Sequence, residues 1–271
     1  MLKLPEKIGL IAGEGDLPEK IIKECIQSGR EIFVICLSAK PSSANKVDHV
    51  NLGIASVGKA IKNLRAENVK TLVFAGGLKR PKISSLRPDA GGMKLMAKIS
   101  KARLIGDNSL LSIIINFFES EGFKVIGAEK ILGDLVMPPG ILGKIKPNKH
   151  AQKDIATGAS IARSIGNLDI GQSVIIQNGV IIGVEAIEGT DELIKRCAKL
   201  QQEEHGGILV KMKKPLQDKR IDLPTIGKNT IINAHKAGLI GIAIEAGGAL
   251  ILDKTEVVNK ADELGLFVVG V

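Results

Sequence analysis

Apolar residues in the first half of the chain fall into short β-branched runs, such as IGLIA and EIFVICL, separated by stretches where they recur every three or four positions. Runs of the first kind belong to strands buried on both faces, and the second spacing belongs to amphipathic helices. The pattern predicts strands at 8–12, 31–37, 71–75 and 124–127. Helices are predicted at 17–28, where Pro18 occupies a first-turn position that needs no N–H donor, at 57–67, from about 93, and at about 109–121. Strands alternating with helices describe an α/β domain built around a parallel sheet.

From Gly133 to Asn148 this pattern lapses, and Pro138, Pro139, Gly140, Gly143 and Pro147 appear with neither periodicity. Residues 134–148 therefore read as a linker between a domain of 1–133 and a second of 149–271. The second is expected to carry helices at about 152–165, 191–202, 227–237 and 254–264, and strands at 207–211, 241–245 and 267–271. A hairpin-like pair at 172–176 and 180–186 turns on Asn178-Gly179, a favoured two-residue turn.

Composition narrows the partners. Among 271 residues, 38 Lys plus Arg stand against 29 Asp plus Glu, a net charge of +9, and there are six Phe with neither Tyr nor Trp. Such a surplus expects nucleic acid, a phosphorylated metabolite or an acidic lipid surface. The shortage of aromatics counts against nucleic acid, because RNA and single-strand readers stack bases on those side chains. Cys25, Cys36 and Cys197 are odd in number and lack CxxC spacing, as in a reducing compartment. The start MLKLPEKIGLIAG shows no leader pattern, and no apolar run approaches the roughly 20 residues of a spanning helix. A cytoplasmic protein is expected, with surface association to a membrane allowed.

Several clusters could carry chemistry. Gly13-Glu14-Gly15-Asp16-Leu17-Pro18 lies between the first strand and first helix, where backbone N–H groups and the helix dipole can hold a phosphate. Pro18 stands where the dinucleotide fingerprint has its third glycine, which disfavours a nicotinamide site; a turn that binds nothing explains the same residues. Gly76-Gly77-Leu78-Lys79-Arg80-Pro81 follows the third strand, and Lys79 and Arg80 could grip a diphosphate there, with a solvated basic turn as the plainer alternative. Gly106-Asp107-Asn108-Ser109 reads as a helix cap, or as a metal or ribose contact. Glu185, Glu188 and Asp191, around Gly189 and Thr190, could hold Mg²⁺ or a sugar hydroxyl, although Thr190 or Asp191 would also cap a helix.

The densest segment runs from Lys211 to Gly227. Lys211, Lys213, Lys214, Lys219 and Arg220 surround Asp218 and Asp222 in a loop from a strand end to a helix start. Its cations would neutralise phosphate oxygens while Asp222 or Asp218 holds a metal or takes a proton from water. The four histidines, His49, His150, His205 and His235, show no metal spacing, and neither GxSxG nor GxxxxGK[ST] occurs. Attack by water on a phosphate, assisted by metal or by acid/base groups, is the best-supported chemistry.

The runs GLIAGEGDLP, GGLKRP, GDNSLL, GQSVIIQNGVIIGVEAIEGTDELI, GGILVKMKKPLQDKRIDLPTIG and AGLIGIAIEAGGALILD together resemble the UDP-2,3-diacylglucosamine pyrophosphatase family of lipid A biosynthesis, in order over nearly the whole chain. The resemblance implies a Rossmann-like N-terminal domain with a parallel sheet, a distinct C-terminal mixed-sheet domain for catalysis and lipid binding, and an interdomain cleft. It implies Mg²⁺-dependent hydrolysis of the diphosphate to UMP and 2,3-diacylglucosamine 1-phosphate, with water attacking the phosphorus on the sugar side. The family's essential aspartate in RxDLPTIG falls on Asp222, as the catalytic and metal-binding residue. Expected substrate contacts are Gly13, Gly15, Gly76, Gly77, Lys79, Arg80, Glu188, Gly189, Thr190, Asp191, Lys211, Lys214 and Arg220. Asn108 replaces the second aspartate of a GDD the family often shows, so that carboxylate is lost. Partners implied are the lipid substrate and its product, the cytoplasmic face of the inner membrane transiently, and a second copy of the chain in a homodimer, without nucleic acid. Residues 175–184 and 240–252 could line an acyl groove, although core strands are the better account of them. The rival reading is a non-catalytic nucleotide- or RNA-binding α/β protein, which would bind nucleic acid with steep salt dependence; a nicotinamide oxidoreductase lacks its fingerprint.

Overall fold

The computed structural model describes residues 7–38, 40–78, 86–101, 107–201, 206–214, 220 and 223–271. The chain divides into two units, Met1–Gly133 with Asp218–Asp222 and Asp134–Gln217 with Leu223–Val271.

The first unit runs β1 (Lys7–Ala12), α1 (Asp16–Gln27), β2 (Glu31–Cys36), β3 (Asp48–Asn51), α2 (Val57–Ala66), β4 (Thr71–Ala75), α3 (Ala90–Lys101), α4 (Asp107–Ser120) and β5 (Lys124–Val125). Its sheet is parallel throughout, in the order β3-β2-β1-β4-β5. The chain winds outward from β1 through β3 and then restarts beside β1 at β4, which puts the topological switch at the carboxyl ends of β1 and β4. Ile21, Ile22 and Cys25 bury one face of α1. The helix stops where Gly29 adopts φ 66° and the Gly29 and Arg30 N–H groups turn back to the Ile26 and Cys25 carbonyls. Five of the six phenylalanines pack in the core beneath α2–α4, and Phe118 meets Phe74, Phe117 and Phe123 edge to face. The few aromatics the chain has are thus packing groups and leave base stacking without a platform.

The second unit comprises β6 (Gly140–Leu142), α5 (Lys149–Asn167), β7 (Ser173–Gln177), β8 (Val180–Val184), α6 (Thr190–Cys197), β9 (Gly207–Lys211), β10 (Thr225–Ile226), α7 (Lys228–Lys236), β11 (Leu239–Ile244), β12 (Leu250–Ile251), α8 (Lys254–Glu263) and β13 (Phe267–Gly270). A mixed sheet takes the order β6-β13-β11-β9-β7-β8, with β9, β11 and β13 parallel and the outer pairings antiparallel; β10 and β12 form a separate parallel pair. Strand alternation sorts the core in two. Val174, Ile176, Ile208, Val210 and Val269 face α5, while Ile175, Leu209, Ile242, Ile244 and Val268 face α6–α8. Gly158 lets α5 close on β9, since a Cβ there would lie 2.7 Å from the Val210 side chain.

Both strands of the predicted hairpin form, and their turn has Asn178 at φ 50° and Gly179 at φ 79°, the paired positive values of a type I′ turn. The edge strand β8 is not left open. Arg196 Nη2 donates to the Val184 carbonyl at 2.6 Å and Cys197 Sγ to the Ile182 carbonyl, so α6 takes up polar groups that could template another strand.

Four strands escape the periodicity. Residues 134–148, read as a linker, supply β6, which pairs antiparallel with β13 and belongs to the second sheet. β3 is the polar DHVN at an edge, and β10 and β12 have two residues each. Of the segments weighed as acyl lining or core, Ile175, Ile176, Ile242, Ile244, Leu250 and Ile251 are fully buried core, while Val180 is exposed and Ile181, Ile182 and Ile240 are half-buried.

At the switch, the β1 and β4 loops are bonded to each other. Gly13 N–H reaches the Ala75 carbonyl at 2.8 Å, and Glu14 and Gly77 exchange N–H to carbonyl bonds of 2.7 and 2.8 Å. A Cβ on Gly13 would lie 2.4 Å from the Gly77 oxygen, and one on Gly76, whose φ is +90°, 2.6 Å from the Glu14 oxygen. Gly76→Ala should therefore cost about 1–3 kcal/mol in urea unfolding, whereas Gly77→Ala, with open space around its Cβ, should stay within about 0.5 kcal/mol.

Candidate functional site

In the first unit the loops and helix starts at the carboxyl edge are tied together by the chain's own groups. Gly13 and Gly76 serve the mutual approach of two loops. Gly15, at φ 100°, caps α1 without a side chain, and the helix's first turn carries Asp16 and Glu19. Burial opposes ionisation of Glu19, but hydrogen bonds from the Ser43 hydroxyl and N–H and from the Ser42 hydroxyl, with Lys23 beside it, bring its carboxyl down to about 2. At α2 the Asp89 carboxylate accepts the Gly58, Lys59 and Gly92 N–H groups at 2.8–2.9 Å and fills that helix's N-terminus. Asp89 thus sits where the α2 dipole would draw a phosphate, while Glu19, in the first turn of α1, is held by Ser42 and Ser43. Lys79 and Arg80 lie outside the described residues.

In the second unit the carboxyl end of β9 gathers a polar cluster. Lys211 and Glu185 are 7% and 6% exposed, and Ser173, in register with Lys211, is fully buried. Gly189, at φ 81°, turns the chain into α6 so that Thr190 points at this cluster. Lys211 Nζ donates to Thr190 Oγ1 at 3.0 Å, Thr190 Oγ1 donates to Glu185 Oε1 at 3.0 Å, and Ser173 Oγ stands 3.4 Å from the same hydroxyl. Alongside, the Glu245 carboxylate accepts the Lys213 N–H, and Lys214 pairs with Asp169 at 2.8 Å.

The three carboxylates expected to act together at 185–191 part company here. Glu185 turns inward to Thr190, Glu188 accepts from Arg196 and the Ala186 N–H, and Asp191 accepts from Asn233 on α7. Glu188's own N–H, then Arg196 and the Ala186 N–H, hold its carboxyl below the usual range, as befits a group that staples its loop. Neither Thr190 nor Asp191 caps α6; Gly189 holds that position with no side-chain bond. Arg220 donates to Glu119 at 2.5 Å, within the first unit. Spacing along the chain could not foretell these partners. Ser173 was missed altogether, since nothing in a strand's first residue marks it as the register partner of a lysine 38 positions on, and so was Gln172, whose N–H bonds Glu185.

Residues 7–135 match the LpxI N-terminal domain model and residues 138–269 the LpxI C-terminal domain model. The chain belongs to the LpxI family. A relative from Caulobacter vibrioides, named UDP-2,3-diacylglucosamine pyrophosphatase LpxI, is 42% identical over 272 residues, covering 98% of this chain and 97% of its own. Among solved structures, the CobK precorrin-6A reductase is 10% identical at a TM-score of 0.33, over 97% of this chain and 86% of that one. N5-carboxyaminoimidazole synthetase from Staphylococcus aureus is 13% identical at 0.26, over 72% of this chain and 44% of that one. Neither carries an inference about what this LpxI-family chain binds.

Asp222, the expected catalytic residue, lies outside the described residues, as does the 215–219 loop. Among the described residues no group of three His, Cys, Asp or Glu side chains could hold a metal ion. The carboxylates nearest the β9 end are engaged with Thr190, Lys213 and Lys214, so Mg²⁺ finds no ready-made ligand set among them. All three cysteines are buried and unpaired, and burial pushes the Cys25 thiol up to about 11, which leaves it a packing group.

Glu19 supplies a pH prediction. Because its carboxyl is depressed in the folded chain, its stabilisation is complete above the ordinary value of 4.5 and is lost as pH falls toward about 2. Thermal unfolding of wild type and Glu19→Gln across that window should show the gap between them closing as acid is added; a constant gap would remove Glu19 from this role.

Proposed function

We propose that this chain hydrolyses the diphosphate of UDP-2,3-diacylglucosamine, giving UMP and 2,3-diacylglucosamine 1-phosphate. The observation that carries the reading is the 42% identity over 98% of the chain to the Caulobacter pyrophosphatase, with both family domains matched in order. The β9 end supports it with a buried cation, Lys211, at the mouth of the loop that leads to RIDLPTIG.

A diphosphate resists water because its oxygens carry negative charge and repel the incoming lone pair. A fixed ammonium in a poorly hydrated setting stabilises the charge that builds on those oxygens more strongly than water does. In the proposed reaction Lys211 binds a non-bridging phosphate oxygen, and Asp222 takes a proton from the attacking water. The water oxygen bonds to the phosphorus on the sugar side, the bond from that phosphorus to the bridging oxygen breaks, and UMP leaves with the bridging oxygen. Mg²⁺ is the expected cofactor on the strength of the resemblance; when bound it would neutralise phosphate charge. No described helix is long and apolar enough to cross a membrane, and the net charge of +9 supports transient attraction to the anionic face where such a lipid resides.

Purified protein given UDP-2,3-diacylglucosamine should release UMP, stop on addition of EDTA and resume with Mg²⁺. Asp222→Ala should abolish turnover while leaving the unfolding midpoint unchanged, and in ¹⁸O-water the label should enter the lipid 1-phosphate and not UMP. Absence of UMP with and without Mg²⁺ would end the reading, and label in UMP would move the attack to the uridine-side phosphorus.

A further inference from the structure

The Lys211 ammonium sits where packing has no use for a charge. Leu209, two residues back on the same face of β9, and Ile244, its register partner on β11, belong to the aliphatic core beneath α6–α8. A buried ammonium there is costly unless it is paired. The compensating charge arrives through a hydroxyl. Thr190 has one proton, which goes to Glu185 Oε1, and its lone pairs are left to accept from Lys211 and Ser173. Glu185 is itself fixed from several sides. Its N–H donates to the Ser173 carbonyl at 2.9 Å, and the Gln172 N–H donates to its Oε2 at 3.3 Å. Gly171 lies so close that a Cβ there would be 2.1 Å from the Glu185 carbonyl oxygen.

Two groups here keep hydrogen-bonding capacity that the described residues do not use. Among the described residues Thr190 is the single hydrogen-bond acceptor of the Lys211 ammonium, which keeps two N–H bonds for another partner. Gln172 Oε1 is buried with no hydrogen-bond partner among the described residues, an acceptor suited to a ligand hydroxyl.

We propose that Glu185 is a positioning residue: acting through the Thr190 hydroxyl, it fixes the direction in which the Lys211 ammonium meets a phosphate oxygen. It touches no substrate and works only through Lys211, so the proposal rests on the part given to Lys211 in diphosphate hydrolysis.

A double-mutant cycle on the full chain tests this with two readouts, kcat/KM for UMP release and Kd for inorganic pyrophosphate. Glu185→Gln and Lys211→Met should each lower kcat/KM and weaken pyrophosphate binding by about tenfold or more, and the double variant should be no worse than Lys211→Met alone. A carboxylate that merely held the fold would reduce both backgrounds by the same factor. That result overturns the proposal, as does wild-type pyrophosphate affinity in Glu185→Gln or a wild-type chain that does not bind pyrophosphate. Thr190→Val should repeat the loss, and Thr190→Ser, which keeps the hydroxyl, should return both readouts to within about threefold of wild type. Where Glu185→Gln fails to fold, this pair decides, and equal behaviour of the two threonine variants overturns the proposal. Non-additive pyrophosphate binding by a protein that releases no UMP would sink the hydrolysis reading and uphold the positioning role.

Discussion

A strand covered by helices on both faces has no solvent side, so a polar side chain in it must find a partner within the sheet or retreat to the strand's end. The second sheet of this chain obeys that constraint along β9 and β11, where Ile208, Leu209, Val210, Ile242, Ala243 and Ile244 are all fully buried. Polar side chains appear where the helices no longer close the sheet. Ser173, Glu185 and Lys211 come from three adjacent strands or their ends, and their mutual bonding is what permits a lysine at the end of so apolar a strand. Apolar packing and site chemistry are therefore linked: the same core that excludes water from β9 raises the strength of every electrostatic contact made by the ammonium at its tip.

The two units treat their strand ends differently. In the first, backbone bonds join the loops after β1 and β4, and the carboxylates of Glu19 and Asp89 are bound near the N-termini of α1 and α2. A fold of this order elsewhere offers those termini to nucleotides; here the third-glycine position is held by Pro18, buried in the first turn of α1 against Gly76. The next residue, Glu19, ties α1 to the turn at Ser42–Lys46. In the second unit the α6 terminus is capped by a glycine with no side chain to offer, so the first helical side chain, Thr190, is free to serve the cluster at β9.

Architecture was legible wherever burial is two-sided, because a β-branched run of five or six residues with no polar interruption suits a strand covered on both faces and is too short for a buried helix. Runs such as EIFVIC and GILVK lie close to their expected bounds for that reason. Legibility fell at edges and in short pairs. DHVN is polar because one side of β3 pairs with nothing, and β6 hides among prolines and glycines because three residues need no periodicity to form an edge. Candidate chemistry was legible by region and not by role. Glu185, Glu188 and Asp191 are near neighbours in sequence, yet the turn at Gly189 sends them to three different partners. No spacing rule distinguishes the carboxylate that faces inward from the two that face out; only the strand parity of β8 and the positive φ of Gly189 do.

Net charge does not say which cations already have partners. The surplus of +9 suggested a broad attraction for anions, with Lys214 and Arg220 among the groups that would deliver it. Both are engaged within the fold, Lys214 by Asp169 and Arg220 by Glu119. An ion pair of this kind weakens a cation's pull on a ligand, because the ligand must compete with a partner already in place. Lys211 differs in that its counter-charge is held one hydroxyl away, with Thr190 accepting a single one of its three protons. The ammonium is thus neutralised well enough to be buried with two of its protons unspent. That arrangement, rather than the number of lysines in the loop, is what sets Lys211 apart from Lys214 and Arg220.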